Sequence, residues 1–327
     1  MKAEEHISAA SKQDAGARAG IPAQNLADAA RQGAAARRNE RLALIALAGM
    51  ALGWGYNWVI MKSVLSYVGP FDFSALRTLF GAVLLLAVLA VLRKPMRIRA
   101  WPRVALLGVL QTGAFSALIQ VALLHGGAGK TSILVYTMPF WVIPMAWVAF
   151  GERIRGLQWL ALALAAAGLV LILEPWTLHA DFLSELLAVI AGLCWALATI
   201  VAKWIKRDHP MDALPLTAWQ MLFGALALCL VAWFVPERPI DPAPYFYGAL
   251  FYNAVIATAL AWYLWLFALQ HLSAGVAGMS ALGVPVVGVL AGWLQLGEQP
   301  GGMELAGMVL IAVALVVISL RSMGKRS

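Results

Sequence analysis

From Leu42 to Leu320 this chain repeats one pattern: about twenty apolar residues with almost no charge, then a short polar break. Twenty residues of α-helix span a hydrocarbon layer of about 30 Å, so the pattern assigns lipid, not water, as the main solvent. Composition agrees. Of 327 residues, 62% are hydrophobic and 12% charged, with a mean hydropathy of +0.80, too little polar surface for a soluble domain. The expected fold is an all-α integral membrane protein.

Breakers and apolar runs mark ten spans: Leu42–Met61, Phe71–Leu92, Pro102–Leu124, Thr131–Phe150, Leu157–Leu173, Leu186–Ala202, Ala213–Val235, Tyr245–Leu269, Ala274–Leu296 and Met303–Leu320. Residues 1–40 are alanine-rich, mixed in charge and without aromatics. Such a segment buries too little apolar surface to offset its ordering entropy, and it reads as a disordered tail. No apolar core precedes Leu42, so a cleavable signal peptide is not expected.

Placing the amino terminus inside puts Arg37, Arg38, Arg41, Arg93, Lys94, Arg97, Arg99, Arg103, Arg153, Arg155, Lys203, Lys206, Arg207, Arg321, Lys325 and Arg326 on the inner side. Only Lys62, Lys130 and Arg238 fall outside. The positive-inside rule therefore gives a multi-pass protein of the cell's inner membrane with both termini cytoplasmic. The net charge of +8 sits in these short segments, not in a patch on a folded surface, so nucleic acid is not an expected partner. Cys194 and Cys229 lie inside apolar runs with neither metal-type nor disulfide-type spacing. No metal and no cofactor is expected.

The two halves resemble each other. Trp54 and Lys62 are answered by Trp195 and Lys203, and Leu79-Phe80-Gly81-Ala82 by Leu222-Phe223-Gly224-Ala225. At a constant offset of 146, His125 pairs with His271, Ala128-Gly129 with Ala274-Gly275, Pro139 with Pro285, and Gly151-Glu152 with Gly297-Glu298. Each copy, 41–180 and 181–321, holds an odd number of spans, so the second crosses the membrane upside down. Residues 322–327 form a short cytoplasmic tail. Inverted repeats recur in secondary transporters, with the solute site between the copies near the midplane.

On Trp54-Gly55, the Ala-Gly entries to spans four and nine, Pro139, Pro285 and the two Gly-Glu pairs, the chain resembles the drug/metabolite transporter superfamily, in its EamA-like branch. The resemblance covers nearly everything after residue 41. It implies ten helices around a central pathway, commonly serving export of amino acids or related metabolites. The departures are the long amino-terminal tail and Leu193-Cys194 before Trp195, where Gly53 precedes Trp54.

Polar side chains at membrane depth are costly unless they face partners or a wet cavity. Thr112, Ser116 and Gln120 share one stripe of the third span at spacings of four. Asn57 stands one turn from Trp54, and Asn253 lies in the eighth span. Arg77 is the one basic residue well within a span, about 9 Å deep at 1.5 Å per residue. It suits a carboxylate on the solute, or it snorkels toward Asp72; Gln220 holds its place in the second half. With Trp54, Tyr136, Trp195 and Tyr263 added as an amphipathic wall, the expected solute-binding set is Trp54, Asn57, Arg77, Ser116, Gln120, Tyr136, Trp195 and Tyr263. Pro139 and Pro285 interrupt helices at matching places and are expected to gate.

No Asp or Glu occupies a span centre, which points to a facilitator or exchanger without a carboxylate relay. Gly126-Gly127-Ala128-Gly129-Lys130-Thr131 looks like a phosphate loop, but Leu124 stands where its first glycine belongs and no strand precedes it. The expected activity is alternating-access transport of a small amphipathic solute, an amino acid first, by a monomer or homodimer among membrane lipids. Rival readings are a drug or toxic-cation exporter and a membrane-embedded enzyme on lipid-linked substrates, the latter without a visible catalytic cluster.

Overall fold

In lipid no water completes the backbone's hydrogen bonds, so each span must close its own ladder as a helix. The computed structural model describes residues 23–151, 153–154, 156–174, 176, 181–209, 211–261, 264–265, 267–268, 272 and 283–324. Among them the ordered elements are all helical. They are α1 (Ala23–Ser63), α2 (Pro70–Val91), α3 (Trp101–His125), α4 (Ala128–Phe150) and α5 (Leu157–Leu173). The second series is α6 (Phe182–Asp208), α7 (Ala213–Phe234), α8 (Pro244–Phe251 running on through Tyr252–Leu260), α9 (Gly283–Leu296) and α10 (Gly302–Gly324).

Among the described residues, six helices are long and apolar enough to cross a membrane: α2, α3, α4, α6, α7 and the Arg37–Ser66 stretch led by α1. Leu157–Leu173, Gly283–Leu296 and Gly302–Val317 are shorter apolar stretches. Apolar side chains such as Val91, Val148, Leu230 and Leu294 stand exposed on the outer surface of the bundle, where a soluble protein would place charge. The chain is a multi-pass membrane protein.

Of three local features, the first and last depart from the expected outline and the second follows the interruption expected at Pro139. Helix α1 begins at Ala23, so residues 23–40, read above as disordered, are helical; alanines at 27, 29, 30, 34, 35 and 36 carry the highest intrinsic helix propensity. Residues 1–22 lie outside the described residues. Helix α4 breaks after Val135 and resumes at Met138, because Pro139 has no N–H to donate to the Val135 carbonyl four residues back and its ring crowds that carbonyl. Helices α3 and α8 widen into π-helix over Val109–Ala114 and Tyr252–Leu260, irregularities that often mark functional sites.

Contacts fix the ends of the bundle. At one end Lys62, closing α1, reaches Gly126 between α3 and α4 and Glu298 between α9 and α10. Glu237 reaches from beyond α7 to the start of α2, and Lys130 meets Glu185 at the start of α6 and Glu304 at the start of α10. At the other end Arg103 opening α3 pairs with Asp208 closing α6, and Lys94 after α2 with Asp212 before α7. So α1 finishes where α6 starts, and α2 starts where α7 finishes.

The packing partners repeat as well. Helix α1 packs on α9 and α6 on α4, α2 packs on α7, and α5 packs on α10. Replacing each helix by the one five places along leaves these pairings unchanged. Apolar burial cannot drive such contacts in lipid, so backbones approach at small residues. At the α5–α10 crossing a Cβ on Gly168 would lie 2.7 Å from the Gly307 carbonyl, and one on Gly307 would lie 2.6 Å from that of Gly168.

Candidate solute cavity

Between the halves lies a cavity of about 400 Å³, at the small end of volumes that hold a metabolite. Its walls are mostly aromatic and aliphatic: Trp54, Trp58 and Met61 from α1, Phe115 and Ile119 from α3, and Trp195 from α6. The Phe115 and Trp195 rings meet edge to face at 4.6 Å, a favourable geometry for aromatic quadrupoles. The π-helical turns of α3 and α8 bring Gln111, Thr112, Ala257 and Thr258 to the same wall.

Of the residues expected to bind solute, Trp54, Asn57, Arg77, Ser116, Tyr136 and Trp195 line this cavity. Trp54 is held by its indole, which donates to the Ala257 carbonyl at 2.7 Å and ties α1 to α8. Tyr252 adds a second tie, donating to the Gly53 carbonyl at 2.9 Å. Tyr136 sits at the break in α4 and faces the cavity from there. Gln120 is elsewhere: it is fully buried, off the lining, and its amide oxygen and nitrogen have no hydrogen-bond partner among the described residues. Tyr263 lies outside the described residues. Pro139 and Pro285 are not on the lining; Pro139 follows the break in α4 and Pro285 stands in the first turn of α9 as described.

Arg77 is the only charged group among the described lining residues. Its Nη1 lies 3.4 Å from the Asn253 Oδ1, and its Nε is buried without a partner. Asp72, the partner weighed from sequence, makes no ion pair with it among the described residues. Holding an arginine at membrane depth costs about 3 kcal/mol on insertion scales, so a site that keeps one gains from an anion. Asn57 Oδ1 also lacks a partner.

Sequence reasoning missed Thr78, Gln111, Gln220 and Thr258, all on the lining. Gln220 alone carried a signal, as the counterpart of Arg77 in the repeat. Thr112, weighed but not selected, also lines the cavity and donates to Gln220 Oε1 at 2.9 Å.

The sequence signature of the EamA-like transporter family matches twice in succession, over residues 41–174 and 182–320. The chain belongs to the EamA-like transporter family. This places it in the drug/metabolite transporter superfamily, among transporters of small solutes. The EamA-like chain is 29% identical over 278 residues to an uncharacterized transporter of Bacillus subtilis, YoaV, covering 83% of this chain and 94% of that one. It is 27% identical over 276 residues to a probable amino-acid metabolite efflux pump of Salmonella typhimurium, covering 81% and 90%. A crystal structure at 17% identity shares the fold with a TM-score of 0.58, over 84% of this chain and 95% of that chain.

Two landmarks of the EamA-like repeat meet at the Lys62 end of the bundle. The Glu298 carboxylate accepts from the Ala128 N–H at 2.7 Å, the Gly129 N–H at 2.9 Å and Lys62 Nζ at 3.1 Å. It therefore satisfies the open donors at the start of α4 and places negative charge at the positive end of that helix. Lys62 also donates to the Gly126 carbonyl at 2.8 Å. The matching residues Glu152, Ala274 and Gly275 lie outside the described residues.

Proposed function

We propose that this EamA-like protein is a secondary carrier for a small amphipathic solute bearing a carboxylate, an amino acid with an apolar side chain foremost, and that it works as an exporter. The observation that carries the reading is Arg77, a guanidinium facing an otherwise uncharged, aromatic cavity with no carboxylate among the described lining residues. Such a site repels a free cation and attracts an anion, and its apolar walls favour a solute with a hydrophobic part. The relative named as an amino-acid metabolite efflux pump points the same way.

In this account ten helices form two five-helix halves of opposite orientation, both termini lie in the cytoplasm of the inner membrane, and the cavity opens to each side in turn. The shared ends of α1 and α6 and the repeated packing partners support that threading. Interlocking of Lys62, Gly126, Gly129 and Glu298 at one end supports a closed outer side here, with the breaks at Pro139 and Pro285 as bending points. The absence of a carboxylate at span centres favours facilitated exchange over proton coupling.

Counterflow of radiolabelled leucine in proteoliposomes tests the reading. Leucine should exchange, while leucinamide, which keeps the amine and lacks the carboxylate, should not compete. Exchange of leucinamide or a cationic dye in preference to leucine would overturn it in favour of a cation exporter.

A further inference from the structure

Arg77 has a counterpart in the second half, Gln220, and the structure holds that side chain in one orientation. Gln220 is almost fully buried yet lines the cavity. Its Oε1 accepts from Thr112 Oγ1 at 2.9 Å. An amide whose oxygen is so engaged points its NH₂ the other way, and Gln220 Nε2 has no protein partner among the described residues. The orientation is stiffened by the α3–α7 crossing. A Cβ on Gly224 would overlap the Cβ of Thr112, and one on Gly108 would overlap the Gln220 carbonyl. The two helices can approach that closely only because both positions are glycine, and the approach leaves Thr112 fixed against Gln220.

Building on the carboxylate reading above, we propose that Gln220 is a specificity-determining residue whose Nε2 donates to the solute's carboxylate, with Arg77 supplying the charge and Thr112 setting the amide's direction. The chemistry follows from the donor inventory. A primary amide can offer a donor or an acceptor to the cavity, and a free one rotates to suit either. With its oxygen accepting from Thr112, Gln220 has one oxygen lone pair spent and both Nε2 donors left for the cavity. At this pair of residues a carboxylate finds one charged donor and one neutral donor, from matching positions of the two halves, while the unpartnered acceptor Asn57 Oδ1 stands elsewhere on the lining. The Arg77 and Gln220 positions thereby favour an oxygen acceptor on the solute. Thr112 acts through Gln220 and is a positioning residue.

The test uses the full chain in proteoliposomes, with leucine and leucinamide as competing probes. Thr112→Val keeps the shape and removes the hydroxyl that holds the amide. It should raise the KM for leucine about tenfold, the scale of one hydrogen bond to a charged group, with kcat little changed. Gln220→Glu replaces the donor with an anion and should invert selectivity, so that leucinamide exchanges and leucine does not. A general loss of kcat in both variants with leucine-over-leucinamide preference intact would overturn the proposal, since that is how a purely structural pair behaves. Arg77→Gln separates the two levels. If it abolishes the preference while Thr112→Val and Gln220→Glu leave it unchanged, only the role of Gln220 falls. If the preference survives Arg77→Gln as well, the carboxylate reading falls with it.

Discussion

Glu298 and Ala128 stand 170 residues apart in sequence, yet a Glu298 carboxylate oxygen lies 2.7 Å from the Ala128 N–H. One side chain from the second half thus closes the first turn of a helix in the first half. Because Lys62 binds the same carboxylate, the contact joins three turns at the end assigned as outer. Glu298→Ala should destabilise the protein by about 1–2 kcal/mol, the usual loss for a helix cap, and Glu298→Gln by less, since it keeps an acceptor. Thermal unfolding in detergent measures both. An unchanged midpoint in Glu298→Ala would show that the cap carries no stability.

Gly292 belongs to the same device. A methyl group there would lie 2.6 Å from a Glu298 carboxylate oxygen and 3.2 Å from the Gly129 nitrogen. Gly292→Ala should therefore cost about 1–3 kcal/mol, as overpacking does. Gly248→Ala is the control: a methyl group there meets nothing within 4 Å, and helix propensity favours alanine by up to about 1 kcal/mol. The paired unfolding midpoints should move in opposite directions.

Lys130 lies between Glu185 at 2.9 Å and Glu304 at 3.2 Å, and the Glu185 side chain is only 1% exposed. Removing Lys130 alone leaves buried carboxylates facing each other. Lys130→Met should cost about 3–5 kcal/mol, and Lys130→Met with Glu185→Leu distinctly less, because a deleted pair leaves one fewer uncompensated charge. Yield and unfolding midpoint of single and double variants decide this. By contrast, Arg103→Ala at the opposite end breaks a solvent-screened pair and should leave the unfolding midpoint almost unchanged.

Arg77→Gln gives both halves the same residue at the matched position. Loss of a charge-assisted hydrogen bond of about 1.5–3 kcal/mol should weaken leucine binding by about ten- to a hundredfold. Arg77→Lys should recover part of it, retaining charge without the planar fork. Equal affinities in all three proteins, measured by saturation of counterflow, would remove Arg77 from the site.

The extents of several helices were legible because breaks in the chain carry charge, proline or glycine, whereas α1 and α6 run past the apolar runs that announced them. Helix α5 begins and ends where the apolar run does, and α2 and α7 agree to within a residue at each end. The lateral arrangement was not legible. In lipid a helix is apolar on every side, so periodicity does not say which face meets a neighbour. Gln120 shows the consequence: it shares a helical stripe with Ser116, yet only Ser116 reaches the cavity. The π-helical turns of α3 and α8 shift side chains off the regular spacing, which hides Gln111 and Thr258 from a sequence reading. The Ala-Gly and Gly-Glu pairs were visible as markers of the repeat, but nothing in their spacing says that Glu298 caps Ala128 and Gly129. That contact belongs to the fold alone.

Lys62 and Lys203 occupy the same place in the two halves, eight residues after Trp54 and Trp195. The most direct test replaces each in turn by cysteine, in a chain lacking Cys194 and Cys229, and labels intact cells with a membrane-impermeant maleimide. Oppositely threaded halves require labelling at position 62 from outside and at position 203 only after the membrane is opened. Labelling of both from the same side would contradict the inverted arrangement and the cavity built on it.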